Sequence, residues 1–440
     1  MTPVQPVRGT QSLLGEEADR LAAVVAAFDR VRRLFGFKRV EVPIFEHTKV
    51  FARTIGETTD VVSKEMYTFD DNSGDSLTLR PEFTAGIARA FLSEGWLQHI
   101  PLRVAAHGPA FRYERPQKGR FRQFHQLDAE IIGSDDPNTD VELISFGWQL
   151  LAKLRIKGVT LKLNTLGDAD SRAQWRADLV DYFKSFEREL SPESQARLEK
   201  NPLRILDSKD PRDQAFVTQA PKMRLSGHSE DFFGKVKSGL EREGIPFDPD
   251  PYLVRGLDYY RHTAFELVTN RLGAQGAVLA GGRYDGLIEQ LGGPHTPAVG
   301  WAAGIERLAM LLPGELRPTR TAALVVESDQ ASLLNLGNIM LRQLRRYGMP
   351  TQLVAEGSIN KRYQKALKLE PDYILVLLES GQMNAVATFR VRRRVFDRYH
   401  TTGKVYGALK SLMENQFGIP PERFKGVARS GGELELRSKS

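Results

Sequence analysis

The stretch FRYERPQKGRFRQFHQLDAE, residues 111–130, concentrates the side chains best suited to chemistry on an anion. It carries Arg112, Arg115, Lys118, Arg120 and Arg122 against Glu114, Asp128 and Glu130, with Phe111, Tyr113, Phe121 and Phe124 set between the charges. A guanidinium offers carboxylates and phosphates a two-pronged donor face. The flanking runs have β character, and Pro116-Gln117-Lys118-Gly119 reads as a turn, which predicts two antiparallel strands joined by a basic loop. Side chains alternate faces along a strand, so Arg112, Glu114, Phe124, Gln126, Asp128 and Glu130 are expected to crowd onto one surface. A basic hairpin also serves as a solvated edge that resists aggregation. That role does not explain why amide and carboxylate fall in phase with arginine and phenylalanine.

Four other stretches carry residues of the same kinds. RPEFT, residues 80–84, places Glu82 and Thr84 where a strand gives way to a helix, a position at which a carboxylate already favours the helix dipole. LVRGLDYYRHTAFELV, residues 253–268, sets Arg255 and a glycine turn before Tyr259 and Tyr260, then continues as a strand. VLAGGRYDGLIEQLGG, residues 278–293, is rich in glycine. PAVGWAAGIERLAMLL, residues 297–312, reads as a short strand, a glycine bend and a helix bearing Glu306 and Arg307. Singly, these are compatible with packed tyrosines, strand ion pairs and a surface Glu-Arg pair.

Together they resemble the signatures of class II aminoacyl-tRNA synthetases, and FRYERPQKGRFRQFHQ with RGLDYY resembles the histidyl-tRNA synthetase family in particular. The resemblance implies an α/β fold with an α+β catalytic domain: an antiparallel sheet flanked by helices, a helical insertion, and a small C-terminal α/β domain. It implies attack of the histidine carboxylate on the α-phosphate of ATP, then transfer of the adenylate to the terminal ribose of tRNA-His. Arg112 and Arg255 would flank the α-phosphate as the catalytic pair, with Arg255 also against histidine. Arg120 would reach the β- and γ-phosphates, Arg307 the γ-phosphate, Glu114 the adenine amino group, and Phe124 would stack on the ring. Glu82, Thr84 and Gln126 would hold the ammonium, while Glu130, Tyr259 and Tyr260 would meet the imidazole. Arg115, Gln117 and Lys118 would touch the acceptor end of the tRNA. Mg2+ would accompany ATP, with no zinc and no metal ligated by the protein alone. Phe83 stands where that family would have glycine, and Asn360 where it would have lysine.

The chemistry explains the residue types. Both steps bring anions together, so the protein's task is positioning and charge neutralisation, not supplying a nucleophile. Neutral imidazole has one donor and one acceptor nitrogen. A pocket whose polar groups expect such a partner rejects apolar analogues by roughly 10⁴ or more, so no editing domain is needed.

The positioning elements are legible as periodicity. EEADRLAAVVAAFDRVRRLF, residues 16–35, has helical spacing and meets Gly36, and KRVEVPIFEHTKVF alternates like a strand until Pro43. This pair resembles the first class II signature, which implies a homodimer. Residues 67–80 read as a hairpin, 82–92 as helix, 137–154 as helix and 160–164 as strand. The predicted organisation is a catalytic domain over 1–167 and 250–316, a charged helical insertion over 168–249, and an anticodon-binding-like α/β domain over 320–440. The apolar runs TAALVVES, PTQLVAE and YILVLL supply strands to that last domain.

Composition excludes several classes. A chain of 440 residues with 41% hydrophobic and 27% charged residues has ample core for two or three domains. With Cys 0, disulfides and cysteine-ligated zinc are ruled out. No run approaches the roughly 18 apolar residues of a membrane span, and the first residues lack a secretory pattern, which predicts a cytoplasmic location without a membrane partner. From Thr351 to Ser440 there are 16 basic and 9 acidic residues, and that excess equals the whole formal charge of +7. A basic C-terminal region suits a phosphate backbone as well as a solvated surface.

Arg255→Ala is expected to lower the rate of adenylate formation by about 2 to 4 kcal/mol of barrier, with histidine affinity little changed. An unaltered rate in pre-steady-state measurement would remove the assigned role.

Overall fold

The computed structural model describes residues 3–56, 59, 61–117, 119–254, 259–272, 276–314, 321–346, 348–379, 387–395 and 398–405, with side chains described up to Leu378. The chain divides into two compact units, Met1–Leu316 and Arg317–Ser440.

In the first unit, helix α1 (Glu16–Leu34) leads to β1 (Lys38–Arg39), β2 (Phe45–His47) and α2 (Thr48–Ile55). The hairpin β3 (Tyr67–Asp70) and β4 (Ser76–Leu79) precedes α3 (Thr84–Ser93), then come β5 (Leu102–Phe111), β6 (Gln123–Ile132), α4 (Pro137–Lys153) and β7 (Thr160–Thr165). Four helices follow: α5 (Ala169–Lys184), α6 (Pro192–Lys200), α7 (Pro211–Val217) and α8 (Gly227–Arg242). The chain then returns through β8 (Phe247–Pro249), β9 (Arg261–Val268), β10 (Ala277–Arg283), the short α9 (Leu287–Gln290), β11 (Ala298–Gly304) and α10 (Ile305–Leu311).

Eight strands form one sheet in the order β1-β5-β6-β11-β10-β9-β7-β8. The six central strands are antiparallel to their neighbours, and the short edge strands β1 and β8 run parallel to β5 and β7. The mixed architecture, an antiparallel-dominated sheet flanked by helices, is the class expected from the sequence. The β-run ahead of Pro43 is shorter than its alternation predicts: only Lys38 and Arg39 pair, and β2 begins after the proline. Proline has no N–H to give a ladder, so pairing lapses there.

Period-two alternation divides β6 cleanly. Leu127, Ala129 and Ile131 enter the core on one face with α1, α4, α8 and α10. Gln126, Asp128 and Glu130 are buried on the opposite face, where Phe83, Phe91, Tyr259, Tyr260 and Tyr284 pack with α5–α7. The segment 168–249 thus contributes to both sides: Trp175, Leu179 and Phe183 of α5 to the second cluster, Phe232, Val236 and Leu240 of α8 to the first. Asp168 holds the two ends of that segment together, accepting from the Ser171 N–H (2.8 Å) at the start of α5 and from Ser229 Oγ (2.9 Å) in the first turn of α8. These bonds, with the Ser226 hydroxyl foremost, keep its carboxyl well below the usual aspartate range.

The corner between β10 and α4 is closed by a buried ion pair. Arg283 donates to Asp140 and to Ser134 O (2.8 Å), Thr139 Oγ1 (3.2 Å) and Asp285 Oδ1 (3.2 Å). A guanidinium and carboxylate in this setting are tolerated because nearly every donor finds an acceptor.

In the second unit β12 (Ala322–Val326), α11 (Ala331–Arg346), β13 (Thr351–Val354), α12 (Ile359–Lys368) and β14 (Tyr373–Glu379) form a parallel core, extended by the antiparallel β15 (Ala387–Val395) and β16 (Arg398–Val405) in the order β13-β12-β14-β15-β16. The arginine run 390–394 lies on β15. Buried apolar residues fill both faces of β12 and β14, one with α11 and one with α12.

Arg283→Met should destabilise the first unit by about 3 to 5 kcal/mol, because Asp140 is left buried without a counter-charge. All four tryptophans, Trp96, Trp148, Trp175 and Trp301, lie in that unit, so urea unfolding of the whole chain followed by tryptophan fluorescence reads it directly.

Candidate active site

A cavity of about 660 Å³ opens on the second face of the sheet, lined by β6, β9, β10 and β11, the loop after β5, and Arg204, Asp207 and Lys209 from the segment between α6 and α7. Ten residues singled out in the sequence line it: Glu82, Thr84, Arg112, Glu114, Arg120, Phe124, Gln126, Tyr259, Tyr260 and Arg307. Glu130 lies buried directly behind Thr84. Arg115 and Gln117 are exposed and take no part in the lining. Arg255 and Lys118 fall outside the described residues.

One end of the cavity is acidic. Glu82 precedes α3 instead of opening it, and its carboxylate accepts from the N–H groups of Thr84 (2.6 Å) and Ala85 (2.9 Å), a cap on the helix. Burial raises its pKa against those bonds and the attraction of Arg112. Thr84 Oγ1 donates to Glu130 Oε1 (2.6 Å), and the Tyr284 hydroxyl donates to Glu130 Oε2 (2.5 Å). Burial pushes Glu130 up to about 7 despite these donors. Asp128, two residues away on the same strand face, is raised as well, first by burial and then by the Glu130 charge. Tyr259 and Tyr260 pack ring to ring (centroids 4.6 Å apart), and Tyr259 stands edge-on to Tyr284 (5.7 Å).

The other end is basic. Arg112 donates through Nε to Pro81 O (3.0 Å), and its guanidinium lies 5.4 Å from the centre of the Phe124 ring. Arg120 donates to Glu114 Oε2 (2.7 Å). Burial, then repulsion by the Arg120 charge, draws the pKa of Arg307 down. Cations gathered at this cost mark a place for an anion.

The basic loop differs from the sequence reading. The strands end at Phe111 and resume at Gln123, so Arg112 and Glu114 belong to a folded loop and not to the ladder. Its tip closes through reciprocal backbone hydrogen bonds between Gln117 and Arg120 (3.1 and 2.9 Å), with Gly119 at φ 74° against the Arg307 side chain. Arg122 turns away from the cavity: its guanidinium covers the Tyr113 ring at 3.8 Å and its N–H donates to Gly9 O (2.8 Å).

Three contributors escaped the sequence reading. Tyr284 anchors Glu130, although nothing in GGRYDG marks its hydroxyl for that purpose. Gly300 on β11 lies opposite Glu130 of β6, and a Cβ there would fall 1.4 Å from Glu130 Oε2, so only glycine leaves room for the carboxylate. Glu306 accepts from the His125 N–H at both oxygens (3.0 Å each) and lies 2.8 Å from His125 Nδ1, tying the start of α10, and with it Arg307, to the strand that carries Phe124 and Gln126.

A family model described as histidyl-tRNA synthetase matches residues 9–171 and 217–308. The chain is 60% identical over 395 residues to a histidine–tRNA ligase of Novosphingobium aromaticivorans, covering 88% of this chain and 93% of that one. The chain belongs to the histidyl-tRNA synthetase family. A histidine–tRNA ligase of Gluconacetobacter diazotrophicus is 50% identical over 390 residues, 88% of this chain and 94% of its own. The crystal structure of apo S. aureus histidyl-tRNA synthetase superposes with a TM-score of 0.72 at 30% identity, covering 94% of this chain and 99% of that one. The stretch 172–216, between the two matched pieces, holds most of α5, all of α6 and all but the last residue of α7. In this synthetase, then, the cavity joins an acidic and a basic end on one sheet face.

Gly300→Ala should raise the KM for histidine by one to two orders of magnitude, equivalent to about 1 to 3 kcal/mol of displaced packing, while the KM for ATP stays near its original value. Steady-state kinetics of pyrophosphate exchange with each substrate varied in turn would check it.

Proposed function

We propose that this cavity is where histidine and ATP meet, with histidine at the acidic end and the triphosphate at the basic end. The activity is that of an ATP-dependent histidine–tRNA ligase: histidine is activated as histidyl-adenylate with release of diphosphate, and the histidyl group passes to tRNA-His. The observation that carries the assignment of the two ends is their opposite polarity, with Glu82 and Glu130 behind the tyrosines and Arg112, Arg120 and Arg307 around Phe124.

In the first step a histidine carboxylate oxygen forms a bond to the α-phosphorus as the bond to the diphosphate breaks. Arg112 neutralises the two approaching anions, and Arg255 is assigned to the opposite side of the phosphate on the strength of the RGLDYY resemblance. Arg120 and Arg307 hold the outer phosphates, which relieves the repulsion between them. Phe124 stacks on adenine under the Arg112 guanidinium, and Glu114 accepts from the adenine amino group. Glu82, Thr84 and Gln126 hold the ammonium, and Glu130 accepts from the imidazole N–H with Tyr259 and Tyr260 completing the ring pocket.

Among the described residues no group of three or more acidic or histidine side chains could hold a metal alone. Mg2+ is ordinarily bound by one or two carboxylates together with substrate phosphates, and Glu266 lies in the lining to serve in that way. Mg2+ carried in with ATP would neutralise the departing diphosphate. Arg115 and Gln117, exposed and outside the lining, are assigned to the tRNA acceptor end, and Lys118 with them on the strength of the resemblance. The C-terminal α/β unit is assigned to the tRNA body, supported by its basic composition. We also assign a homodimer, supported by the α1–β2 signature and by the exposed Ile44, Phe45 and Phe69. A cytoplasmic location accords with the substrates, and among the described residues no helix is long and apolar enough to cross a membrane.

Histidine-dependent exchange of labelled diphosphate into ATP is the expected activity, and its absence in folded protein would overturn the reading. Arg307→Ala should raise the KM for ATP at least tenfold with the KM for histidine unchanged. Equal losses for both substrates would contradict the division of the cavity into two ends.

A further inference from the structure

Asp128 is a buried acid with no assigned task. It is completely inaccessible, and among the described residues neither of its carboxyl oxygens makes a hydrogen bond of ordinary geometry, although the Glu130 carboxyl lies close enough to interact with it side chain to side chain. Its cross-strand neighbours are Ala106 on β5 and Ala302 on β11, too small and too apolar to provide one. Along its own strand the residues on the same face are Gln126 and Glu130, each about 6.6 Å away at the strand rise. An ionised carboxylate left in that position would cost several kcal/mol, so Asp128 is held as the neutral acid. A carboxylic acid is a donor, and a buried donor needs an acceptor.

Two acceptors share its strand face, and Glu130 is the one that acts on it directly. Gln126 Oε1 is also without a partner, but an amide oxygen is a weaker acceptor than a carboxylate. Glu130 has roughly four lone-pair sites, of which Thr84 and Tyr284 take one on each oxygen. A site remains for the substrate and one for Asp128.

We propose that Asp128 is a positioning residue for histidine recognition, donating its carboxyl proton to Glu130 and thereby keeping Glu130 ionised to accept the imidazole N–H. The proposal rests on the reading of Glu130 as the imidazole acceptor. The charged and titratable groups that act on the pair are Arg80 at the end of β4, Glu82 before α3, and Tyr259, Tyr260 and Tyr284 around the ring pocket. Arg80 favours loss of a proton, and Glu82 opposes it. Tyr259 and Tyr284 are held neutral by burial, so in the neutral range they act as hydroxyl donors. Glu130 receives a hydroxyl on each oxygen and Asp128 receives none, so the single charge of the half-ionised pair rests on Glu130.

The sign of the effect follows. The competent form has Glu130 ionised, and a fall in pH through its pKa removes the acceptor. A hydrogen bond donated to the ionised form lowers that pKa, and removing the donor raises it. Free histidine titrates identically against every variant, so any difference between pH profiles belongs to the enzyme.

The test is the pH dependence, from about pH 5.5 to 8.5, of kcat/KM for histidine in diphosphate exchange by the full chain, for wild type, Asp128→Ala, Asp128→Asn and Glu130→Gln. In Asp128→Ala the acid limb should move to higher pH by about one unit or more, the shift corresponding to one hydrogen bond to a charged group. Asp128→Asn, which keeps a donor in the same place, should restore the wild-type limb. The KM for ATP should stay constant in both. Should the alanine variant lose too much stability, Asp128→Leu fills the volume without a donor and serves the same comparison. An unmoved limb, a limb moved to lower pH, or a loss of activity equal at every pH would each overturn the role of Asp128, as would an asparagine variant that behaves like alanine. Glu130→Gln separates the two readings: if it leaves the KM for histidine unchanged, the assignment of the imidazole pocket fails, whatever Asp128 does.

Discussion

Burying a carboxylate is unfavourable unless its surroundings are built for it, and the Glu130 site is so built. Its two oxygens receive hydroxyls from Thr84 at the start of α3 and from Tyr284 after β10, and they lie across a strand position that only glycine can occupy. Four elements that are distant in sequence are therefore fixed relative to one carboxyl group. If any of them shifts, a buried charge is left short of partners at a cost of a few kcal/mol. The same demand accounts for the neighbouring Glu82, whose oxygens are engaged by the first N–H groups of α3, so that one cap sets both the helix and the rim of the cavity.

The opposite end obeys the complementary rule. Arg112, Arg120 and Arg307 approach one another in a partly enclosed space, where like charges are unfavourable until an anion joins them. Two of them are steadied by a neighbour that does not consume the whole donor face: a carbonyl for Arg112, a carboxylate for Arg120. Guanidinium suits this arrangement because it remains charged under desolvation that would neutralise a lysine. Glu306 connects the two secondary-structure elements concerned, since its contacts to His125 lock the helix bearing Arg307 against the strand bearing Phe124. The cavity thus carries buried carboxyls at one end and guanidiniums at the other, with Arg112 near enough to Glu82 to attract it and Arg120 paired with Glu114.

The resemblance to class II synthetases was visible in five short stretches, and the comparisons with known proteins agree with it. The periodicities of α1, α4, β6 and β9 were also plain, because a long helix and a half-buried strand each impose a repeat on their apolar residues. Strand alternation alone placed Gln126, Asp128 and Glu130 on one face. It says nothing of the arginine-rich stretch 390–394, which lies on β15. It also overextended the central hairpin: past Phe111 the cross-strand bonds shrink to Arg112 N–H to Arg122 O and the Gln117–Arg120 pair, and the loop is tied down by Gly9, Arg307 and its own ion pair.

By itself, then, the sequence determined the residue types, the repeat lengths and the family, all of which are local properties of the chain. Only the tertiary structure decided which groups pair: that Arg122 serves a tyrosine and a backbone carbonyl, that Glu306 clamps His125, that Tyr284 and Gly300 make the Glu130 site possible, and that Asp128 is buried beside Glu130 with no other partner among the described residues. The reason is that hydrogen bonding and desolvation depend on what lies within a few ångströms. For residues separated by a hundred or more positions, that is settled by how the sheet orders its strands.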